Sequence, residues 1–290
     1  HTRLVTVTGV QTCALPIYRL AEAISIAERS DVAILCLGLD STIEGEQGDA
    51  GNSEGAGDKP NLNLPRKQQE LLEKIIETGT PVILVIGTGS ALTFNGAEEK
   101  CAAILDAWYP GSRGGRAVAD LLFGKCSPSG KLPVTFYKDL NYIPEFTDYS
   151  MKGRTYRYIT GESLYPFGYG LSYTKFAYGD IKISSDKLTN NSTITASIKV
   201  KNVGDIAGYE TVQLYIQDIK GSVVRPVKEL KGFKKVKLES GEEQNIEFVI
   251  NEEMLRFYTS SMEFKSEEGR FKLYIGSNSD ELQEAEFELI

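Results

Sequence analysis

The residues best suited to chemistry lie in one loop. Between Leu39 and Asn63 the chain carries Asp40, Glu44, Glu46, Asp49, Glu54 and Asp58, with no basic residue among them before Lys59. A protonated carboxyl can give its proton to a poor oxygen leaving group, and an ionised one can attack carbon or activate water. Two such groups flanking a glycosidic bond, roughly 5–5.5 Å apart when configuration is retained, suffice for its hydrolysis. Crowding of like charges also favours the protonated form of at least one of them. Composition alone is equally compatible with a solvated acidic surface, the commoner fate of a charge run. The elements around the loop therefore decide how it is read.

Upstream of the loop, LAEAISIAERS from Leu20 has helical periodicity and DVAILCLG reads as a buried parallel strand. Downstream, Pro65 opens a helix, RKQQELLEKIIETG, with Gly79 as its stop. PVILVIG and CAAILDAW are two further strands, GGRAVADLLFG is a short helix, and KLPVTF is a fourth extended segment. Strands alternating with helices predict a mostly parallel sheet flanked by helices. The acidic loop then leaves the C-terminal end of a strand, where open α/β sheets gather their sites.

After about Phe136 the character changes. Residues 137–175 are rich in Tyr, Pro, Phe and Gly and read as an ordered connector, since its aromatics would otherwise face water. From Phe176 onward, period-2 segments such as STITASIKVKNVG, YETVQLYIQD, EQNIEFVI and RFKLYIG alternate with turns, which predicts an all-β sandwich. The expected organisation is α/β plus all-β: a partial α/β sandwich over 18–136, a connector over 137–175 and a β-sandwich over 176–290. Val7–Ile17 reads VTGVQTCALPI and resembles a translated sequencing-library adapter, so residues 1–17 are set aside as an artefactual segment. They lack the basic start and continuous apolar core of a secretory signal.

Composition excludes several classes. The 290 residues suit two domains, with 25% charged and 41% hydrophobic residues. No apolar run reaches the roughly 18 residues needed to cross a bilayer. A net charge of −8 disfavours nucleic acid and anionic membranes as partners. The one histidine is His1, so imidazole-based triads and His-rich zinc sites are excluded and no metal is expected. Cys13, Cys36, Cys101 and Cys126 show no CxxC spacing and read as reduced, with Cys36 a small buried hydrophobe. GTGSALTF, after PVILVIG, has neither GxxxxGK[ST] nor GxGxxG and is not a phosphate loop.

Three segments, in order and spacing, carry a resemblance over nearly the whole chain from about Ala21: GLD…EGEQ…GDKPNLNLP, then AWYPGSRGGRAVADLLFGKCSPSGKLPVTF, then YPFGYGLSYTKF. Together they resemble the second domain of family 3 glycoside hydrolases and the linker to their fibronectin type III-like domain. The resemblance implies a partial α/β sandwich followed by a fibronectin type III-like sandwich, from an exo-acting, retaining β-glycosidase of the β-glucosidase or β-xylosidase type. Its partners would be β-linked oligosaccharides or aryl glycosides, with no cofactor. A periplasmic or extracellular setting is compatible with the family.

In that family the nucleophile is an aspartate on a preceding barrel domain, and the acid/base is a glutamate in a Gly-Glu context on the second domain. Gly45-Glu46 fits best, with Glu44 the alternative, because residues i and i+2 of an extended loop point the same way. Where relatives have Asp-Arg before NLxLP, this chain has Asp58-Lys59 and loses the bidentate fork. Trp108, Tyr156, Arg157, Tyr158 and Tyr169 are either sugar platforms or packing residues, and packing is favoured. The expectation is a C-terminal piece that lacks the barrel and its nucleophile and is inactive alone. Two other classes compete: a non-catalytic carbohydrate-binding or scaffold protein, and a nucleotide-binding α/β enzyme disfavoured by the missing phosphate loop.

Overall fold

The computed structural model describes residues 4–8, 17–41, 43–46 and 59–290. Cys13, Asp49, Glu54, Asp58 and residues 9–16 of the adapter-like string lie outside these. The chain divides into two compact units, residues 1–123 with 137–141, and residues 124–136 with 142–290.

The first unit is built on a four-stranded parallel sheet in the order β1 (Leu4–Thr8), β2 (Val32–Gly38), β3 (Val82–Gly87), β4 (Ala103–Asp106). Three helices accompany it: α1 (Ile17–Ala27), α2 (Arg66–Glu77) and α3 (Gly114–Leu122). Every second residue of β2 and β3 on one face (Ala33, Leu35, Leu37, Val82, Leu84, Ile86) joins Ala23 and Ala27 of α1 and Leu71, Leu72 and Ile75 of α2 in one core. Each fully buried Leu or Ile here contributes about 1.5–3 kcal/mol relative to exposure.

Two features lie outside the sequence expectations. The strand beside β2 comes from residues 4–8, inside the segment set aside: the alternating β-branched run LVTVT pairs in register with Val32–Cys36. KLPVTF is not a strand of the parallel sheet. Pro133 offers no ladder N–H, and the segment instead pairs irregularly with the connector, through Leu132 N to Tyr169 O at 2.8 Å and Phe136 N to Tyr165 O at 2.9 Å.

The strand ends next to the acidic loop are held tightly. Gly38 has φ +146°, and a Cβ there would sit 1.8 Å from the carbonyl oxygen of Gly87. The buried amide of Gln68 on α2 closes this corner, accepting from Gly38 N at 2.7 Å and donating to Gly38 O at 2.8 Å. The loop thus departs from a rigid point.

The second unit is a β-sandwich. After the one-turn helix α4 (Thr155–Tyr158), its strands are β5 (Phe176–Tyr178), β6 (Lys182–Ile183), β7 (Lys187–Leu188), β8 (Thr193–Asn202), β9 (Gly208–Asp218), β10 (Glu229–Leu238) and β11 (Glu243–Asn251). They are followed by β12 (Phe257–Tyr258), β13 (Phe264–Lys265), β14 (Gly269–Gly276) and β15 (Leu282–Leu289). One sheet runs β10-β9-β14-β15-β7, the other β11-β8-β5 with β6 also on β8. Alternate residues point inward, as in Ile194, Ala196, Ile198 and Val200 of β8, and meet Val212, Leu214, Leu273 and Ile275 of the other sheet.

The connector aromatics pack against this sandwich. Tyr156 stacks on Phe167 at 4.2 Å, meets Tyr215 edge-on at 5.9 Å, and accepts from Leu230 N at 3.2 Å. Tyr165 and Tyr169 stack at 5.4 Å, and Arg157 reaches Glu229 at 3.3 Å. Residues 124–136, grouped with the α/β part in the sequence, pack here as well. Lys131 pairs with the buried Glu210 of β9 at 3.1 Å and donates to Gly170 O at 3.0 Å.

Candidate active site

Three segments leave the C-terminal ends of β2, β3 and β4 and converge. After β2, the amides of Ile43 and Glu44 both donate to Asp40 O, at 3.0 and 2.9 Å. This makes Asp40–Glu44 a closed turn, not an extended stretch, so Glu44 and Glu46 are not equivalent. Glu44 is half-buried, and Ser90 Oγ donates to its Oε1 at 2.8 Å. Glu46 is exposed. Hydrogen bonding to a carboxylate is among the stronger neutral-donor contacts, so Glu44 anchors the loop while Glu46 extends beyond the anchor.

The anchor lies in GTGSALTF, after β3. Buried Thr88 shapes its turn, its Oγ1 accepting from Ser90 N at 3.2 Å and donating to Ser90 O at 3.0 Å. Further along, Thr93 holds the other end of the acidic loop: its N donates to Leu62 O at 2.7 Å and its Oγ1 to Asn63 Oδ1 at 2.7 Å. One short segment therefore clamps both ends of the loop. The sequence reading dismissed it as a phosphate loop and gave it no role, because side-chain donors aimed at a loop tens of residues away leave no local pattern.

The third segment follows β4. Asp106 Oδ1 accepts from Trp108 N at 3.1 Å, in a turn that puts half-buried Trp108 at φ +50°. Burial pushes the Asp106 carboxyl above its ordinary value, and its Oδ2 is buried with no hydrogen-bond partner among the described residues. The turn delivers Tyr109, 57% exposed, against Gly89, where a Cβ would come within 2.9 Å of Tyr109 Cε2. Burial, reinforced by the nearby charges of Glu44 and Asp40, pushes the Tyr109 phenol up. Lys59 is half-buried, and desolvation lowers its ammonium despite the opposing charge of Glu44.

Asp40, Ser41, Glu44, Gly89 and Tyr109 line a concavity of about 580 Å³. It lies at the C-terminal ends of the strands, where open α/β sheets gather their sites. Of the residues singled out in the sequence, Asp40 and Glu44 line it. Glu46 lies two residues further along. Tyr156 and Tyr169 are packed in the second unit. Tyr109, Gly89 and Ser90 were missed: each is ordinary in sequence and acquires meaning only when three strand ends meet.

An acidic loop braced at the strand ends of a parallel α/β unit, in a chain that also carries a β-sandwich, defines a class that the comparisons then specify. Residues 8–173 match the glycosyl hydrolase family 3 C-terminal domain and residues 210–279 the fibronectin type III-like domain. The chain belongs to glycosyl hydrolase family 3. It is 36% identical over 281 residues to the periplasmic beta-glucosidase of Salmonella typhimurium, covering 93% of this chain and 36% of that protein. It is 40% identical over 274 residues to a putative beta-xylosidase of Formosa agariphila, covering 93% and 36%. Among solved structures, a β-glucosidase from Erythrobacter marinus superposes with a TM-score of 0.83 at 38% identity, covering 93% of this chain and 36% of that one. A mutant β-glucosidase from Listeria innocua in complex with laminaribiose gives 0.79 at 31%, covering 96% and 39%. The chain thus spans about a third of the length of these relatives.

Proposed function

We propose that this chain supplies the acid/base side of a retaining, exo-acting β-glycosidase that removes β-linked glucose or xylose. The observation that carries the reading is the acidic loop clamped at both ends by Ser90 and Thr93, with Glu46 exposed beyond the anchor. In the first step Glu46 gives its proton to the glycosidic oxygen as the anomeric carbon bonds to the nucleophile. In the second it takes a proton from water, which releases the sugar with retained configuration. Glu44 holds the loop in place. The nucleophile belongs to a barrel domain outside these 290 residues, so the chain alone turns over no substrate. The length of the relatives and the lack of a nucleophile-like motif in the sequence support this.

The test is Glu46→Gln against Glu44→Gln in the chain joined to a family 3 barrel. Losing the acid slows glycosides with poor leaving groups far more than activated aryl glycosides. Azide, which needs no base, then restores turnover as the glycosyl azide. This signature is expected for Glu46→Gln. Its appearance in Glu44→Gln instead would exchange the two roles, and its absence from both would remove the reading.

A further inference from the structure

The concavity holds one side chain that neither the core nor the proton transfer explains. Tyr109 is 57% exposed, while aromatic side chains in a folded domain ordinarily bury most of their area. Its placement is nonetheless specific. The Asp106–Trp108 turn sets its backbone. Gly89 lets the ring lie against the main chain, since any side chain there would come within 2.9 Å of it. Asp40 and Ser41 form a polar rim around the same space, and Glu44 closes it on the side of the acid/base loop. An exposed aromatic ring seated against main chain beside polar groups suits a flat apolar surface carrying hydroxyls at its edge, such as a pyranose ring or an aryl group.

We propose that Tyr109, seated on Gly89 and rimmed by Asp40 and Ser41, forms the subsite for the leaving-group side of the substrate, a neutral pyranose or an aryl ring. The assignment rests on the acid/base reading of the adjacent loop, because the proton donor faces the leaving oxygen and the group attached to that oxygen lies next to it. Tyr109 binds and positions. It transfers no proton.

Binding to the chain as it stands tests this without catalysis. Saturation-transfer NMR and calorimetric titration would use p-nitrophenyl β-glucoside, cellobiose and glucose, with circular dichroism to confirm folding. The folded chain is expected to bind the aryl glucoside and cellobiose, with saturation strongest on the aryl or reducing-end ring, and to bind glucose more weakly. Tyr109→Ala weakens aryl glucoside binding by about tenfold, whereas Tyr109→Phe keeps it within about twofold because the ring face remains. Gly89→Ala, which displaces the ring, weakens it as Tyr109→Ala does. Phe146→Ala, which removes an aromatic that is 91% exposed outside the concavity, leaves it unchanged. Unaltered affinity in Tyr109→Ala, or no binding by the folded wild-type chain, would overturn the subsite. Failure of the acid/base reading registers elsewhere, as full turnover by Glu46→Gln in the barrel-joined protein, and is distinguishable from either result.

Discussion

Lys131 and Glu210 form a largely buried ion pair in the second unit. Lys131 lies in the SGKLPVTF stretch that carried part of the family resemblance without an assignable chemical role. Its ammonium is 3.1 Å from Glu210 Oε1, and the two side chains are 14% and 6% exposed. At an effective dielectric of about 20, two unit charges at this distance attract by about 5 kcal/mol. Removing one partner leaves the other charge buried, which costs about 3–5 kcal/mol, while replacing both is often near neutral. The neighbouring Tyr178 phenol, pushed up by burial and by the Glu210 charge, stays neutral and brings no positive charge to replace the ammonium. Lys131→Met should therefore lower stability by about 3–5 kcal/mol, a large part of the 5–15 kcal/mol typical of a domain. Lys131→Met with Glu210→Gln should recover most of that loss. Urea unfolding followed by tyrosine fluorescence gives the three free energies and the coupling between them. Additive losses with coupling below about 0.5 kcal/mol would refute the reasoning, because they would mean that the pair is solvated and worth no more than a surface contact.

Three further outcomes follow from the first unit. Ser90→Ala removes the donor to Glu44, and the amides of Ile43 and Glu44 should exchange roughly five- to tenfold faster by hydrogen-exchange NMR, equal to about 1 kcal/mol of loop anchoring, while the β3 amides stay protected. Gly38→Ala puts a methyl 1.8 Å from Gly87 O at φ +146°, so a loss of more than about 4 kcal/mol and collapse of the helical circular dichroism are expected. Asp106 has its folded pKa raised by burial, so the stability tied to its neutral form is complete below the unfolded carboxylate range near 4 and is lost as pH rises through the folded value. Asp106→Asn keeps the acceptor for Trp108 N and should flatten that fall. A thermal melt series in which wild type and variant lose stability in parallel would contradict the assignment.

Much of this architecture is written locally. The parallel strands Val32–Gly38 and Val82–Gly87 are continuous apolar runs, and Arg66–Glu77 repeats at helical spacing behind Pro65, so their periodicities identify them without help. The sandwich strands alternate as clearly. What escaped the sequence depends on distant partners. LVTVT is a good strand, but only pairing with β2 makes it part of the sheet. KLPVTF has strand-like composition, yet Pro133 and the connector's carbonyls draw it into irregular pairing. Glu44 and Glu46 look interchangeable until the Asp40–Glu44 turn separates them. Ser90 and Thr93 look like any polar turn until they are seen holding the two ends of the acidic loop.

The central claim is that these residues bring an acid/base and no nucleophile. Its most direct test is hydrolysis of aryl β-glucoside and aryl β-xyloside by the purified chain, with circular dichroism confirming that it is folded. The account predicts no turnover above the uncatalysed rate from the folded chain, even with activated leaving groups that need no acid. Turnover that scales with the amount of chain would contradict it and would place the nucleophile among the loop's own carboxylates.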